Sequence, residues 1–263
     1  MVNVVFKSKV AFLLLSLAIL IVFWYVRIQA LGIHQTPETY LFGFTYALIA
    51  LIGGINGLWI SRVWGGFRSV MGKGIIFLSL ALLGLWLGQT IWSIYNLQGL
   101  EVPYPSLADI GYFSIIPLCA LSIFFFARAS GARFSLRQSK GKLVSVAIPI
   151  AIALIYYFTL VRNLQPDASP IKTFFNYGYP LGEAFTISLA FVSFELSRQS
   201  LGGRMKLRIL YLMFALIFHF VTECIFLYTQ AAGTYQNAGF VDLMYAISFT
   251  ILSLGLIYLR NYE

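Results

Sequence analysis

Apolar residues run through this chain in stretches of about twenty, separated by short polar breaks. A helix of that length rises ~30 Å, the thickness of a bilayer's hydrocarbon core. The pattern predicts eight spans, at 9–29, 40–62, 74–98, 107–128, 143–162, 173–197, 207–230 and 239–260. The longest polar break, Ala129 to Lys142, is too short to fold alone. The expected fold class is therefore all-α, a polytopic membrane protein with essentially no soluble domain. The first apolar run follows Lys7 and Lys9, as the core of a secretory signal would. Its length and the lack of a small-residue cleavage site after it make it a span instead.

The chain also matches itself. The segment from Tyr95 through Asp109 to Tyr112 aligns with that from Tyr228 through Asp242 to Tyr245 at a constant shift of 133 positions, and Leu121 and Leu254 fall on the same shift. A shift of about half the chain reads as a tandem duplication. It implies one membrane domain built from two parallel four-helix repeats, 1–130 and 131–263. The repeat pairs the first span with the fifth.

Charge then orients the spans. Lys7, Lys9, Arg62, Arg68, Lys73, Arg128, Arg133, Arg137, Lys140, Lys142, Arg198, Arg204, Lys206, Arg208 and Arg260 all fall on one side, leaving Arg27, Arg162 and Lys172 opposite. Basic residues collect on the cytoplasmic side of membrane proteins. Eight spans in a cytoplasmic membrane with both termini inside is the simple solution. The net charge of +9 is then a topology signal and a contact for anionic membrane lipids, and nucleic acid is not an expected partner. Only 10% of residues are charged, against roughly 25% in a soluble domain. Cys119 and Cys224 both sit in apolar runs, where cysteine acts as a small hydrophobe.

Small residues four apart let membrane helices approach closely. Gly53 and Gly57 in span two and Gly84 and Gly88 in span three carry that spacing. They suit packing inside the bundle or contact with another membrane protein or a second copy. Pro117 and Pro180 lie inside spans four and six and should kink them.

Ionisable groups inside a bilayer are costly, and each is a functional candidate. Asp109 and Asp242 open spans four and eight, where a carboxylate suits the positive end of a helix. Tyr112 and Tyr245 follow each of them by three residues, on the same face. Glu183 lies ten residues into span six, near the bilayer midplane. His219 and Glu223 are four apart on span seven and share a face. Gln89 is the nearest polar group on span three. Together these predict an outward-facing polar pocket between spans three, four, six, seven and eight, with Tyr95, Tyr228, Tyr179 and Trp92 as possible walls. Sixteen tyrosines and 24 phenylalanines make any single aromatic weak evidence.

No paired-histidine, paired-cysteine, phosphate-loop or dinucleotide motif occurs. Two histidines do not suggest bis-histidine haem, and no lysine is mid-span for a retinal Schiff base. No cofactor, metal or catalytic residue is expected.

One stretch is similar to a known type. Ile91-Trp92-Ser93-Ile94-Tyr95, then Pro103-Tyr104-Pro105-Ser106-Leu107-Ala108-Asp109-Ile110-Gly111-Tyr112 and Pro117-Leu118, resemble the W-x-x-Y…P-[YF]-P-S-x-A-D-x-x-Y motif of multi-helix membrane sensory modules. Such modules head some bacterial diguanylate cyclases and sensor kinases, and also occur alone. The resemblance covers about 35 residues. It implies a sensory or ligand-binding module and carries no catalytic residues. No cyclase or kinase follows the last span, so a sensor of this kind is expected to signal through a partner. The expected function is a non-enzymatic membrane module that binds a small ligand or a partner subunit, as a sensory or accessory component of a membrane complex. A small secondary transporter coupled through Glu183 and an intramembrane lipid hydrolase are the alternatives.

Overall fold

The computed structural model of the protein describes residues 8–200 and 203–260. Lys7 and both chain ends lie outside that range, and the side chains of Arg133 and Arg204 are not among those described. The described residues form eight long helices: α1 (Lys9–Ala30), α2 (Pro37–Val63), α3 (Val70–Leu97), α4 (Ala108–Ala129), α5 (Ser139–Thr159), α6 (Pro170–Ser200), α7 (Gly203–Ala231) and α8 (Phe240–Tyr258). No strand occurs among them. Each of the eight expected spans falls on one helix, with α2, α3, α5, α6 and α7 starting three or four residues earlier, at Pro37, Val70, Ser139, Pro170 and Gly203.

Seven of the eight, all but α6, are long and apolar enough to cross a bilayer. The chain is a multi-pass membrane protein. α6 is the longest at 31 residues. Lys172, Asn176, Pro180 and Glu183 dilute its apolar content, and it lies packed among α4, α5 and α7.

Local chemistry sets the helix ends. Pro37 occupies the first position of α2, where its missing N–H is not needed. Ser69 caps α3 by accepting from Gly72 N at 2.8 Å. Gly99 and Gly233 stop α3 and α7 in the left-handed region, at φ +67° and +66°. There Leu100 N donates to Tyr95 O and Thr234 N to Thr229 O, closing the final turns.

Six helices form a closed ring in the order α2, α3, α4, α6, α7, α8, with α8 returning to α2. α1 lies outside against α2 and α8, and α5 lies outside against α6. These two peripheral helices expose long apolar faces, including Phe12, Leu20 and Phe23 on α1 and Leu143, Ile150 and Phe158 on α5. Such faces suit lipid rather than water.

The glycine faces are used up inside the ring. A Cβ at Gly53 would run into Ser253 of α8, and one at Gly57 into Ser79 of α3 and Leu256 of α8. At Gly84 it would meet Ser114 Oγ at 2.7 Å, and at Gly88 Tyr112 at 2.8 Å and Ala108 O at 3.0 Å. Both pairs bring α2, α3, α4 and α8 together within one chain.

Proline occurs inside three helices, at Pro117 in α4, Pro149 in α5 and Pro180 in α6. Each removes one backbone donor from its helix. Cys119 and Cys224 are free thiols.

The α3–α4 contact should therefore be sensitive to added volume. Gly88→Leu is expected to lower the free energy of unfolding in mixed detergent micelles by roughly 1–3 kcal/mol, and unchanged stability would contradict the close approach.

Candidate functional site

Helical periodicity places one stripe from each ring helix on a common interior. The stripes are Tyr46 on α2; Leu85, Gln89 and Trp92 on α3; Asp109, Tyr112 and Ile116 on α4; Tyr179 and Glu183 on α6; Phe220, Glu223 and Leu227 on α7; and Tyr245 and Phe249 on α8. Residues three and four apart share a helix face, so each helix turns the same strip inward for one or two turns. They enclose a cavity of about 390 Å³. The α3–α4 connection adds Pro103, Tyr104 and Ser106, and Tyr235 comes from the α7–α8 connection. The cavity thus runs from that loop end of the ring down to Glu183.

Phenols meet most of the buried carboxylates. Tyr179 donates to Asp109 Oδ1 at 2.7 Å, from α6 to α4. Ser106 N donates to Asp109 Oδ2 at 2.6 Å, which ties the loop to the first turn of α4. Asp242 repeats this arrangement at α8, receiving Tyr235 OH at 2.8 Å and Ala238 N at 2.7 Å. Tyr245 donates to Glu223 Oε2 at 2.8 Å, and Tyr112 to Gln89 Oε1 at 2.7 Å. Tyr112 and Tyr245 therefore turn away from the aspartates that precede them by three residues and reach neighbouring helices instead.

His219 is fully buried, with Nδ1 3.1 Å from Ser248 Oγ and Nε2 3.5 Å from Glu223 Oε1. It stands behind the wall among Phe220, Tyr245 and Phe249 rather than on the cavity. Asp242 is likewise buried behind the lining, as an anchor for the α7–α8 connection. Glu183 differs from the other acids. It is 3% exposed, it lines the cavity, and its Oε2 has no hydrogen-bond partner among the described residues.

Of the residues singled out from sequence, Gln89, Asp109, Tyr112, Glu183, Glu223 and Tyr245 line the cavity, with Trp92 and Tyr179. Tyr95 and Tyr228 do not; Tyr228 is 55% exposed. Both stand near the loop end of their helices, on other faces. Tyr46, Tyr104 and Tyr235 were not foreseen as walls. Tyr46 sits 133 positions before Tyr179, so the repeat could have found it. It stacks on Tyr245 with ring centres 6.5 Å apart and planes 9° apart. The wall thus includes α2 as well as the five helices expected.

Outside the spans, partial burial and then the nearby Asp109 push the Tyr104 phenol up to about 12. Burial and then Asp242 push Tyr235 up as well. Both are hydrogen-bond donors at neutral pH. Among the described residues no group of three or more His, Cys, Asp or Glu side chains is placed to hold a metal ion. No protein-family model, no curated protein and no solved structure matches this chain.

The Tyr179–Asp109 bond joins the α4 and α6 sides of the ring. Tyr179→Phe is expected to lower stability by about 1 kcal/mol and Asp109→Ala by about 1–3 kcal/mol. In a double-mutant cycle the destabilisation of the double variant should fall short of the sum of the two single effects by at least about 0.5 kcal/mol. Strict additivity in detergent unfolding would show that the bond does not form.

Proposed function

We propose that this chain is a non-enzymatic integral membrane module that binds a small ligand in the ring cavity, as a sensory or accessory component of a membrane complex. The observation that carries the reading is Glu183: a buried carboxyl on the cavity wall with one oxygen unmet. An unsatisfied buried polar group is expensive and needs an explanation. A ligand that completes its bonding supplies one. The resemblance to membrane sensory modules supports the same site. Of the motif that carries it, Trp92, Pro103, Tyr104, Ser106, Ala108, Asp109 and Tyr112 all line the cavity.

The reading includes a tandem architecture. Advancing every ring helix by four returns the same order, since α2, α3, α4, α6, α7 and α8 become α6, α7, α8, α2, α3 and α4. Tyr179 on α6 meets Asp109 on α4, and its counterpart Tyr46 on α2 is set against Asp242 on α8. Two parallel repeats related by rotation about the membrane normal account for this exchange. The loop end of the cavity then faces outward and the basic end faces the cytosol of a cytoplasmic membrane.

Two measurements check the proposal. Protein extracted in native lipid without detergent should retain a small molecule that a variant with Leu85→Phe and Ile115→Phe, both cavity-lining positions, loses, as read by mass spectrometry. Identical small-molecule content in the two would contradict ligand binding in the cavity. For orientation, an impermeant maleimide should label Leu100→Cys in intact cells and Lys140→Cys only after permeabilisation. The reverse pattern would invert the topology.

A further inference from the structure

We propose that the ligand of the ring cavity is an organic cation, an ammonium group on an apolar body, held by the Glu183 carboxylate. The inference rests on the ligand-binding reading above and adds the charge of what is bound.

The lining residues carry three carboxyl groups, Asp109, Glu183 and Glu223, and no lysine, arginine or histidine. The three differ in what is left over. Asp109 spends one oxygen on Tyr179 and the other on Ser106. Glu223 spends one on Tyr245, and its other lies 3.5 Å from the ring of His219. Glu183 keeps an oxygen that no donor reaches. Among the described residues no basic side chain stands on the wall, so no fixed positive charge there neutralises the group.

A carboxylate withdrawn from water is compensated by a cation, or its charge is removed by a proton. An anionic ligand would meet three acids and no base. A neutral one would compensate neither the charge nor its lost hydration. A cation answers both, and the remaining wall suits it. Tyr46, Trp92, Tyr112 and Tyr245 present aromatic rings, whose electron-rich faces attract ammonium groups. A bare metal ion does not match the site. A volume of about 390 Å³ is the size of an organic molecule, and most of the lining is apolar. The geometry therefore points to a ligand whose head sits at the deep end near Glu183 and whose body fills the space towards the α3–α4 connection.

The test compares three small benzyl compounds that differ in charge: benzyltrimethylammonium, the uncharged dimethylbenzylcarbinol and benzylsulfonate. Binding is measured by calorimetric titration of the full chain in nanodiscs of zwitterionic lipid, with empty nanodiscs subtracted. The wild type should bind the cation about tenfold or more tighter than the carbinol and show no binding of the sulfonate. Glu183→Gln should abolish that preference, weakening the cation about tenfold while leaving the carbinol unchanged. The same variant should unfold at a higher temperature than the wild type when no ligand is present, because it removes the unmet charge. A site residue that serves structure alone would not gain stability on losing binding. Carbinol or sulfonate bound as tightly as the cation would overturn the charge assignment and leave the ligand-binding reading standing. Binding of none of the three would count against both. Should Glu183→Gln not fold, the wild-type comparison of the three compounds decides alone.

Discussion

A carboxyl group inside a bundle surrounded by hydrocarbon has to be met by a donor, a cation or a proton, because no water is at hand to do it. The interior polar architecture follows from this requirement. Asp109, Asp242 and Glu223 are each met by a tyrosine from another segment: Tyr179 of α6, Tyr235 of the α7–α8 connection and Tyr245 of α8. A phenol suits the task. It carries one donor at the tip of a large apolar ring, so it can cross to a neighbouring helix while its body fills the core. Each bond also fixes a register between segments. Glu183 is the member of the set that the fold leaves incomplete, and the cavity lies on it.

Glycines set how closely the ring helices approach. Glycines at 53, 57, 84 and 88 let α2, α3, α4 and α8 approach until side chains touch backbone. On α6, among the described residues the one long helix not apolar enough by composition to span alone, Gly178 and Gly182 pack just as closely on the side chains of Phe113 and Ile116 of α4. A helix carrying Pro180 and Glu183 gains its stability from neighbours rather than from lipid, and α5 covers its outer side. α3 and α4 carry Gln89, Tyr112 and Asp109, while α6 brings Glu183 and Tyr179 to them.

How much of this was legible in the residues depends on the range of the interaction. The helices were legible because a bilayer demands long apolar runs, and their ends because proline, serine and glycine act locally. Asp109 and Asp242 were legible as first-turn carboxylates, since the helix end that favours them is a property of neighbouring residues. Their partners were not. Tyr112 and Tyr245 share a face with those aspartates, yet a phenol reaches farther than one helical turn and found Gln89 and Glu223 on adjacent helices. Glu183 stood out as an acid deep in an apolar run, but that one oxygen would be unmet depends on every neighbouring helix at once. Tyr46 was hidden among sixteen tyrosines and is distinguished only by its counterpart Tyr179. His219 and Asp242 were as conspicuous in sequence as Glu223, and their positions behind the wall follow from helix rotation, which hydropathy does not resolve.

The central claim is that Glu183 faces an occupied cavity as the one acid of the wall without a donor from the chain. A density map of the protein taken from native membranes tests it most directly. The account predicts discrete density between the Glu183 carboxyl and the rings of Trp92 and Tyr112, with Tyr179 bonded to Asp109. An empty, collapsed interior in which Glu183 is bonded to the nearby Tyr156 of α5, whose buried phenol also lacks a partner among the described residues, would contradict it.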